Sequence, residues 1–182
     1  VKHPVYLWTL PSFHCNGWGF PWTLSVVAGT HVSLRAVRAA PIFDAIATHK
    51  VTHLCGAPIV MSTLLNAAAH EKKPLPHIVE FVTAAAPPPE AVLAAMKAAG
   101  FNVTHVYGLT ETYGPASVND WHREWDGLPA AEQAAKKARQ GVAYPVLDAL
   151  DVIDPATMRP VPRDGETLGE VMFRGNVVMK GY

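Results

Sequence analysis

Charge imbalance is the first thing this sequence lacks. Its 15 Lys and Arg residues are matched by 15 Asp and Glu, for a formal net charge of zero. It therefore carries no electrostatic footprint for nucleic acid or for an anionic membrane surface. Cysteine is scarce as well. Cys15 and Cys55, the only two, are forty residues apart and read as free thiols rather than a disulfide framework, which favours a reducing, cytoplasmic setting. No apolar run reaches the ~18–20 residues that a membrane-crossing helix requires. The longest candidate, Trp18 to Gly29, is short and interrupted by Pro21 and Thr23. The nine histidines are scattered, with no H-x-x-x-H or His/Cys spacing that would hold a metal. The chain has no initiator Met, does not open on a signal peptide, and stops at Gly181-Tyr182 straight after a strand-like run. An internal piece of a longer protein is expected.

What is present points to a packed globular domain. Apolar residues make up 49% and charged residues 16%, a balance that rules out intrinsic disorder. Short β-rich runs alternate with helical ones. Val5–Leu10 reads as a buried strand, and Asn16 is placed to cap a helix from about Gly17 to Gly29 with Pro21 in its first turn. Strands then follow at His31–Leu34, Val51–Leu54, Val79–Thr83 and Asn102–Tyr107. Helices are expected from Pro41, over Pro58–His70 and over Pro89–Ala99, the last closed by Gly100. This alternation predicts an α/β fold, a mostly parallel sheet flanked by helices. The central strands carry few charges, as strands covered on both faces do.

The texture changes after Tyr113. A Trp-rich loop (Trp121, Trp125), an Ala/Lys helix over Pro129–Arg139 and the segment Gly141–Pro145 lead to strands at Leu150–Ile153 and Leu168–Arg174 separated by turns. The expected division is an α/β unit over 1–148 carrying the site loops, and the start of a small antiparallel β subdomain over 149–182.

In an open parallel sheet, ligands bind beyond the carboxyl ends of the strands. Three unusual loops fall at such ends: Pro11–Trp22, Thr83–Pro89 and Tyr107–Thr112. In the last of these, Tyr107-Gly108-Leu109-Thr110-Glu111-Thr112, an aromatic ring can stack on a base and the glycine admits a close ligand. The Thr110 hydroxyl can donate to a phosphate oxygen, and Glu111 offers a hard oxygen to Mg²⁺. The same residues also suit a capped helix start with a solvated first-turn acid. Small residues at Ala84, Ala85 and Ala86, followed by Pro87, would let a flat ring lie against the backbone; close strand–helix packing would use them equally well.

The pair Thr83-Ala84-Ala85-Ala86-Pro87 and Tyr107-Gly108-Leu109-Thr110-Glu111-Thr112 resembles the adenine and phosphate/magnesium motifs of the adenylate-forming superfamily. That superfamily includes acyl-CoA synthetases, peptide-synthetase adenylation domains and luciferases. Phe13-His14-Cys15-Asn16-Gly17-Trp18-Gly19 is similar to its upstream aromatic/histidine motif as the acyl- and aryl-CoA synthetase branches carry it. Arg139–Val142 with Tyr144-Pro145, and Gly169–Val171 through Met179–Tyr182, resemble its continuation and read as structural. The resemblance spans nearly the whole chain in order, departing where Ala84 and Ala85 stand in place of the more usual glycines.

It implies ATP, Mg²⁺ and CoA as cofactors and co-substrates, and a small carboxylic acid (short, medium-chain or aryl) as substrate. Ala84–Pro87, Tyr107 and Gly108 would hold the nucleotide, Thr110 its phosphate and Glu111 the metal. His14 and Trp18, with Gly108, would bound the acyl group. The superfamily's phosphate loop, ribose-binding Asp and C-terminal lysine domain have no counterpart in this sequence, so the piece alone is expected not to turn over. Loading of a carrier protein, a luciferase-like oxidation, or nucleotide binding without catalysis stay open as alternatives. Oligomeric state leaves no signal.

Overall fold

A computed structural model describes residues 3–182. Strands β1 (Val5–Trp8), β2 (Thr30–Ser33), β3 (His53–Cys55), β4 (Val79–Thr83) and β5 (Phe101–Leu109) alternate with helices α1 (Cys15–Val26), α2 (Ala39–His49), α3 (Pro58–Leu65) and α4 (Glu90–Ala98). Then come β6 (Gly114–Val118), α5 (Ala130–Ala138), β7 (Val142–Ala143), β8 (Ala149–Asp154), β9 (Arg159–Pro160) and β10 (Glu170–Arg174). A seven-stranded sheet runs β2-β1-β3-β4-β5-β6-β7, and β10-β8-β9 form a separate three-stranded sheet. The first five strands of the large sheet pair in parallel. β6 and β7 close it antiparallel, and the small sheet is antiparallel throughout. This is the α/β class that the alternation predicts.

One face of the sheet builds the main core. Leu7, Leu54, Val79, Phe81, Phe101 and Val103 meet Ile42 and Ile46 of α2, Met61 and Leu64 of α3, and Leu93 and Met96 of α4. The helical residues recur at intervals of three and four, so each helix presents one apolar stripe. Each such side chain contributes about 1.5–3 kcal/mol by leaving water. The helix ends follow local chemistry. Pro58 opens α3 where a missing N–H costs nothing, and Gly100, at φ +93°, closes the stretch after α4.

The opposite face is covered only in part. Leu24 and Phe20 of α1 pack on Tyr6, Trp8, Cys55 and Val82, whereas Glu80, Asn102 and Thr104 on the same face remain half-exposed. Among the described residues, the coverage of both faces expected from the low charge of the central strands is seen beneath α1.

Several local expectations shift. His14, not Asn16, is the N-cap of α1. Asn16 lies inside the first turn, buried, where its Oδ1 accepts the hydroxyl of Tyr6. A tertiary partner has outbid the cap. Pro21 is seven residues into α1 rather than in its first turn. α3 stops at Leu65, short of His70. The hairpin strand β6 is not anticipated; it falls at the start of the mixed stretch after Tyr113.

At its amino half β5 has an open edge, since β6 departs after Val118. The described structure fills that edge with α5. Lys137, buried, donates to the carbonyl of Val103 at 2.8 Å and to Asn102 Oδ1 at 3.0 Å. Asn119 donates to the carbonyls of Lys136 and Arg139. Burial pushes the Lys137 ammonium below the usual lysine range, and its hydrogen bonds offset that cost. Lys137→Met in the full-length protein keeps the stem but leaves the Val103 carbonyl unpaired. It should lower stability by about 1–3 kcal/mol, read as a fall in the urea unfolding midpoint.

Candidate functional site

The carboxyl ends of β1, β3, β4 and β5 lie side by side, ~4.8 Å from strand to strand. The chain reverses its direction of growth between β2 and β3, so β1 and β3 flank a topological switch point, where open sheets take their ligands. The ends are tied together. The Thr9 hydroxyl donates to the Cys55 carbonyl, and the Gly56 N–H to the Val82 carbonyl at 2.9 Å. A Cβ on Gly56 would come within 2.6 Å of the Phe81 ring and 2.9 Å of Val60, so the β3 end requires glycine. This fourth loop carries no distinctive signal in the sequence, since Gly56-Ala57 looks like any turn.

Beyond β5 the chain makes a 3₁₀ turn over Thr110–Thr112 and returns as β6. Thr112 pins the turn. Its buried hydroxyl oxygen accepts the Leu109 N–H at 3.0 Å and lies 3.1 Å from the Leu109 carbonyl and 2.9 Å from that of Gly114. It has one proton to share between them. Thr110, by contrast, is exposed, and its hydroxyl has no partner among the described residues. Gly108 is held by close approach. A Cβ there would sit 1.9 Å from the Gly114 carbonyl oxygen, which allots it a backbone role.

Glu111 sits at the crest of this turn. One carboxylate oxygen accepts the Tyr182 hydroxyl, while the Glu111 carbonyl accepts the Met179 N–H at 2.8 Å. The phenol's hydrogen bond holds the carboxyl below the usual carboxylate range, and the same bond raises Tyr182. Glu111 forms no ion pair among the described residues. Tyr107 and Phe173 of β10 have ring centroids 6.1 Å apart, a half-buried aromatic shelf contributed by both sheets.

The loop after β1 reaches the same turn. His14 is exposed beside the Phe13 ring, 4.6 Å between centroids. Trp18, four residues along α1, has its ring 5.9 Å from that of Tyr113. A Cβ on Gly114 would lie 3.5 Å from Cys15. Gly17 lets the loop fold back on the helix, since a side chain there would strike the Ser12 carbonyl at 1.9 Å. Both cysteines are free: Cys15 is exposed, whereas Cys55 is buried, its thiol pushed up to about 12 by burial.

The remaining predicted residues follow β4. Ala84 is half-buried, and Ala85, Ala86 and Pro87 are exposed. Ala85 has φ +76°, a left-handed conformation that an L side chain adopts at a cost of about 1–2 kcal/mol. The buried polar side-chain atoms without a partner among the described residues, Asn16 Nδ2, Thr83 Oγ1 and Ser117 Oγ, all belong to this rim. Thr83 is in register with His105, and Ser117 with Tyr107. His14, Trp18, Ala84–Pro87, Tyr107, Gly108, Thr110 and Glu111 therefore share one rim. Phe173, Tyr113 and Tyr182 join them without having been singled out. Their only signal was aromatic character, and Tyr182 sits in a stretch that reads as structural.

Such an arrangement defines an open α/β protein whose candidate ligand site is the carboxyl rim of its parallel strands. The chain belongs to the AMP-binding enzyme family, which it matches over residues 1–182. It is 55% identical to the peroxisomal acetate/butyrate–CoA ligase AAE7 of Arabidopsis thaliana over 179 residues, covering 98% of this chain and 32% of that protein. To the acetate–CoA ligase CCL3 of Humulus lupulus it is 54% identical, with the same coverage. The chain thus spans about a third of the length of these relatives.

Among solved structures, o-succinylbenzoate coenzyme A synthetase of Bacillus subtilis in complex with ATP and magnesium superposes with a TM-score of 0.76 at 20% identity, covering all of this chain and 35% of that one. The N-terminal domain of FACL13 from Mycobacterium tuberculosis gives 0.76 at 21%, covering all of this chain and 43% of the other. These two likenesses establish the fold.

Since Ala85 occupies a glycine-favouring conformation, Ala85→Gly should stabilise the full-length protein by up to about 1 kcal/mol. Its relief of strain exceeds the added freedom of the unfolded chain. Ala85→Val should destabilise it by more than 1 kcal/mol, because a β-branched residue fits that region worst. Thermal or denaturant unfolding of the pair checks both signs.

Proposed function

We propose that this chain is the nucleotide- and acyl-handling part of an enzyme that activates a carboxylic acid with ATP and transfers it to CoA. The observation that carries the reading is the meeting of three loops. The small-residue loop after β4 adjoins the Thr110–Glu111 turn after β5, and the His14–Trp18 segment packs against that turn through Trp18 and Tyr113.

In the first step a carboxylate oxygen attacks the α-phosphorus of ATP. The bond to the bridging oxygen breaks, giving an acyl-adenylate and pyrophosphate. In the second, the CoA sulfur attacks the acyl carbon, AMP leaves with the electron pair, and the thiol proton passes to solvent. The protein's share is positioning and charge stabilisation. The backbone of Ala84–Pro87 and the Tyr107 ring hold adenine flat. The unpartnered Thr110 hydroxyl donates to an α-phosphate oxygen. His14 and Trp18 line the acyl side, with Gly108 supplying backbone only. A general base is not needed for the first step, since the carboxylate arrives ionised.

Magnesium would neutralise phosphate charge. Among the described residues no group of three or more His, Cys, Asp or Glu could cage a metal. A single carboxylate such as Glu111, completed by phosphate oxygens and water, is nonetheless how Mg²⁺ is commonly held. The donor set therefore fits.

Similarity to CoA ligases whose names specify acetate, butyrate and 2-methylpropanoate supports CoA as acceptor and a short-chain acid as substrate. Residues 1–148 would act as the α/β unit and 149–182 as the start of the β subdomain. No helix among the described residues is long and apolar enough to cross a membrane. The free cysteines support a reducing compartment, which we assign as the cytoplasm. AAE7 is peroxisomal by name, and imaging of the tagged full-length protein decides between the two.

In the full-length protein, Thr110→Ala and Glu111→Ala should each lower carboxylate-dependent ATP–pyrophosphate exchange about 10²-fold or more while leaving the fold intact. Wild-type exchange in both variants would remove the site assignment. ATP binding without any exchange across acetate, butyrate and longer or aryl acids would mark a non-catalytic nucleotide-binding module instead.

A further inference from the structure

The segment after β10 forms two hydrogen bonds to one rim residue, Glu111. The Met179 N–H donates to the Glu111 carbonyl at 2.8 Å, and the Tyr182 hydroxyl donates to one of its carboxylate oxygens. The two contacts use different atoms on each side, so they fix both the backbone and the side chain of Glu111. A third contact, Tyr107 against Phe173, seats the small sheet on the same side of β5.

We infer that Tyr182 is a positioning residue for Glu111, holding one carboxylate oxygen so that the other is presented to the divalent cation of the bound nucleotide. This rests on the proposed role of Glu111 as the metal ligand. The chemistry favours a phenol for the task. A glutamate on an exposed turn has three free side-chain torsions, and ordering them on metal binding costs rotamer entropy. A hydrogen bond to one oxygen settles that conformation beforehand. A lysine or arginine would do so as well, but its positive charge would repel Mg²⁺ and compete for the carboxylate. A phenol is neutral, reaches only one oxygen, and leaves the second oxygen's lone pairs free. No cationic side chain pairs with Glu111 among the described residues, so this neutral donor is what orients it. Partners of this kind around a metal ligand are commonly worth about 10–100-fold in metal affinity.

The test uses the full-length protein and calorimetric titration with ATP, once with saturating Mg²⁺ and once with EDTA. The quantity read is the factor by which Mg²⁺ tightens ATP binding. Tyr182→Phe should cut that factor about tenfold and leave metal-free ATP binding at the wild-type value. Glu111→Gln should cut it at least as far, and Glu111→Gln with Tyr182→Phe should be no worse than Glu111→Gln alone, because Tyr182 acts only through the carboxylate. If Tyr182→Phe keeps the wild-type factor while Glu111→Gln loses it, the positioning role is overturned and the metal-ligand reading stands. If Glu111→Gln keeps the factor, the metal-ligand reading falls and the inference with it. Equal loss of ATP affinity with and without Mg²⁺ in Tyr182→Phe would make Tyr182 a structural residue and overturn the inference too.

Discussion

The reversal between β5 and β6 is the constraint on which the rim depends, and it exists because Gly108 has no side chain. The returning strand brings the Gly114 carbonyl to where a Cβ on residue 108 would sit, at 1.9 Å. Any other residue would push β6 away from β5. Thr112 then converts the close approach into a defined turn, its hydroxyl serving Leu109 and Gly114 together. With the turn in place, Thr110 and Glu111 stand at its crest, Tyr113 reaches Trp18, and Gly114 meets Cys15. The loop after β1 and the turn after β5 thus share one support.

Buried polar groups lie towards both ends of the strands. At the amino end of β5, Lys137 and Asn119 find partners and hold α5 against an edge that β6 has left open. At the carboxyl end, Asn16, Thr83 and Ser117 each keep a buried polar atom without a partner among the described residues, and Ala85 carries backbone strain. Unpaired buried groups and left-handed non-glycine residues both cost free energy. Thr9 and Thr112, buried at the same end, are paired, so the unpaired atoms are confined to the α1, β4 and β6 positions just named.

Much of this was legible in the residues. The alternation of β-rich runs with helices starting at Pro58 or following Pro89 led to a parallel sheet, because helix and strand periods and proline's missing N–H are local properties. The loops at His14, Ala84–Pro87 and Tyr107–Thr112 could be placed at strand ends for the same reason. Less legible was anything decided by a distant partner. Asn16 has the chemistry of an N-cap, yet Tyr6, on β1, claims its oxygen. Gly114-Pro115 looks like the end of structure, yet the opening at Gly108 lets it pair as a strand.

Local pattern by itself therefore determined the α/β class, the order of the elements and the stretches able to carry a ligand, since these follow from periodicity and backbone chemistry along the chain. The tertiary structure alone decided which of those stretches meet. The strand order β2-β1-β3-β4-β5 brings four loop ends onto one rim and sets Gly56 among them. The second sheet brings Phe173 to Tyr107 and, through the segment that follows it, Tyr182 to Glu111. Those partners lie 66 and 71 positions away in sequence, and only close packing, which no local propensity encodes, could join them.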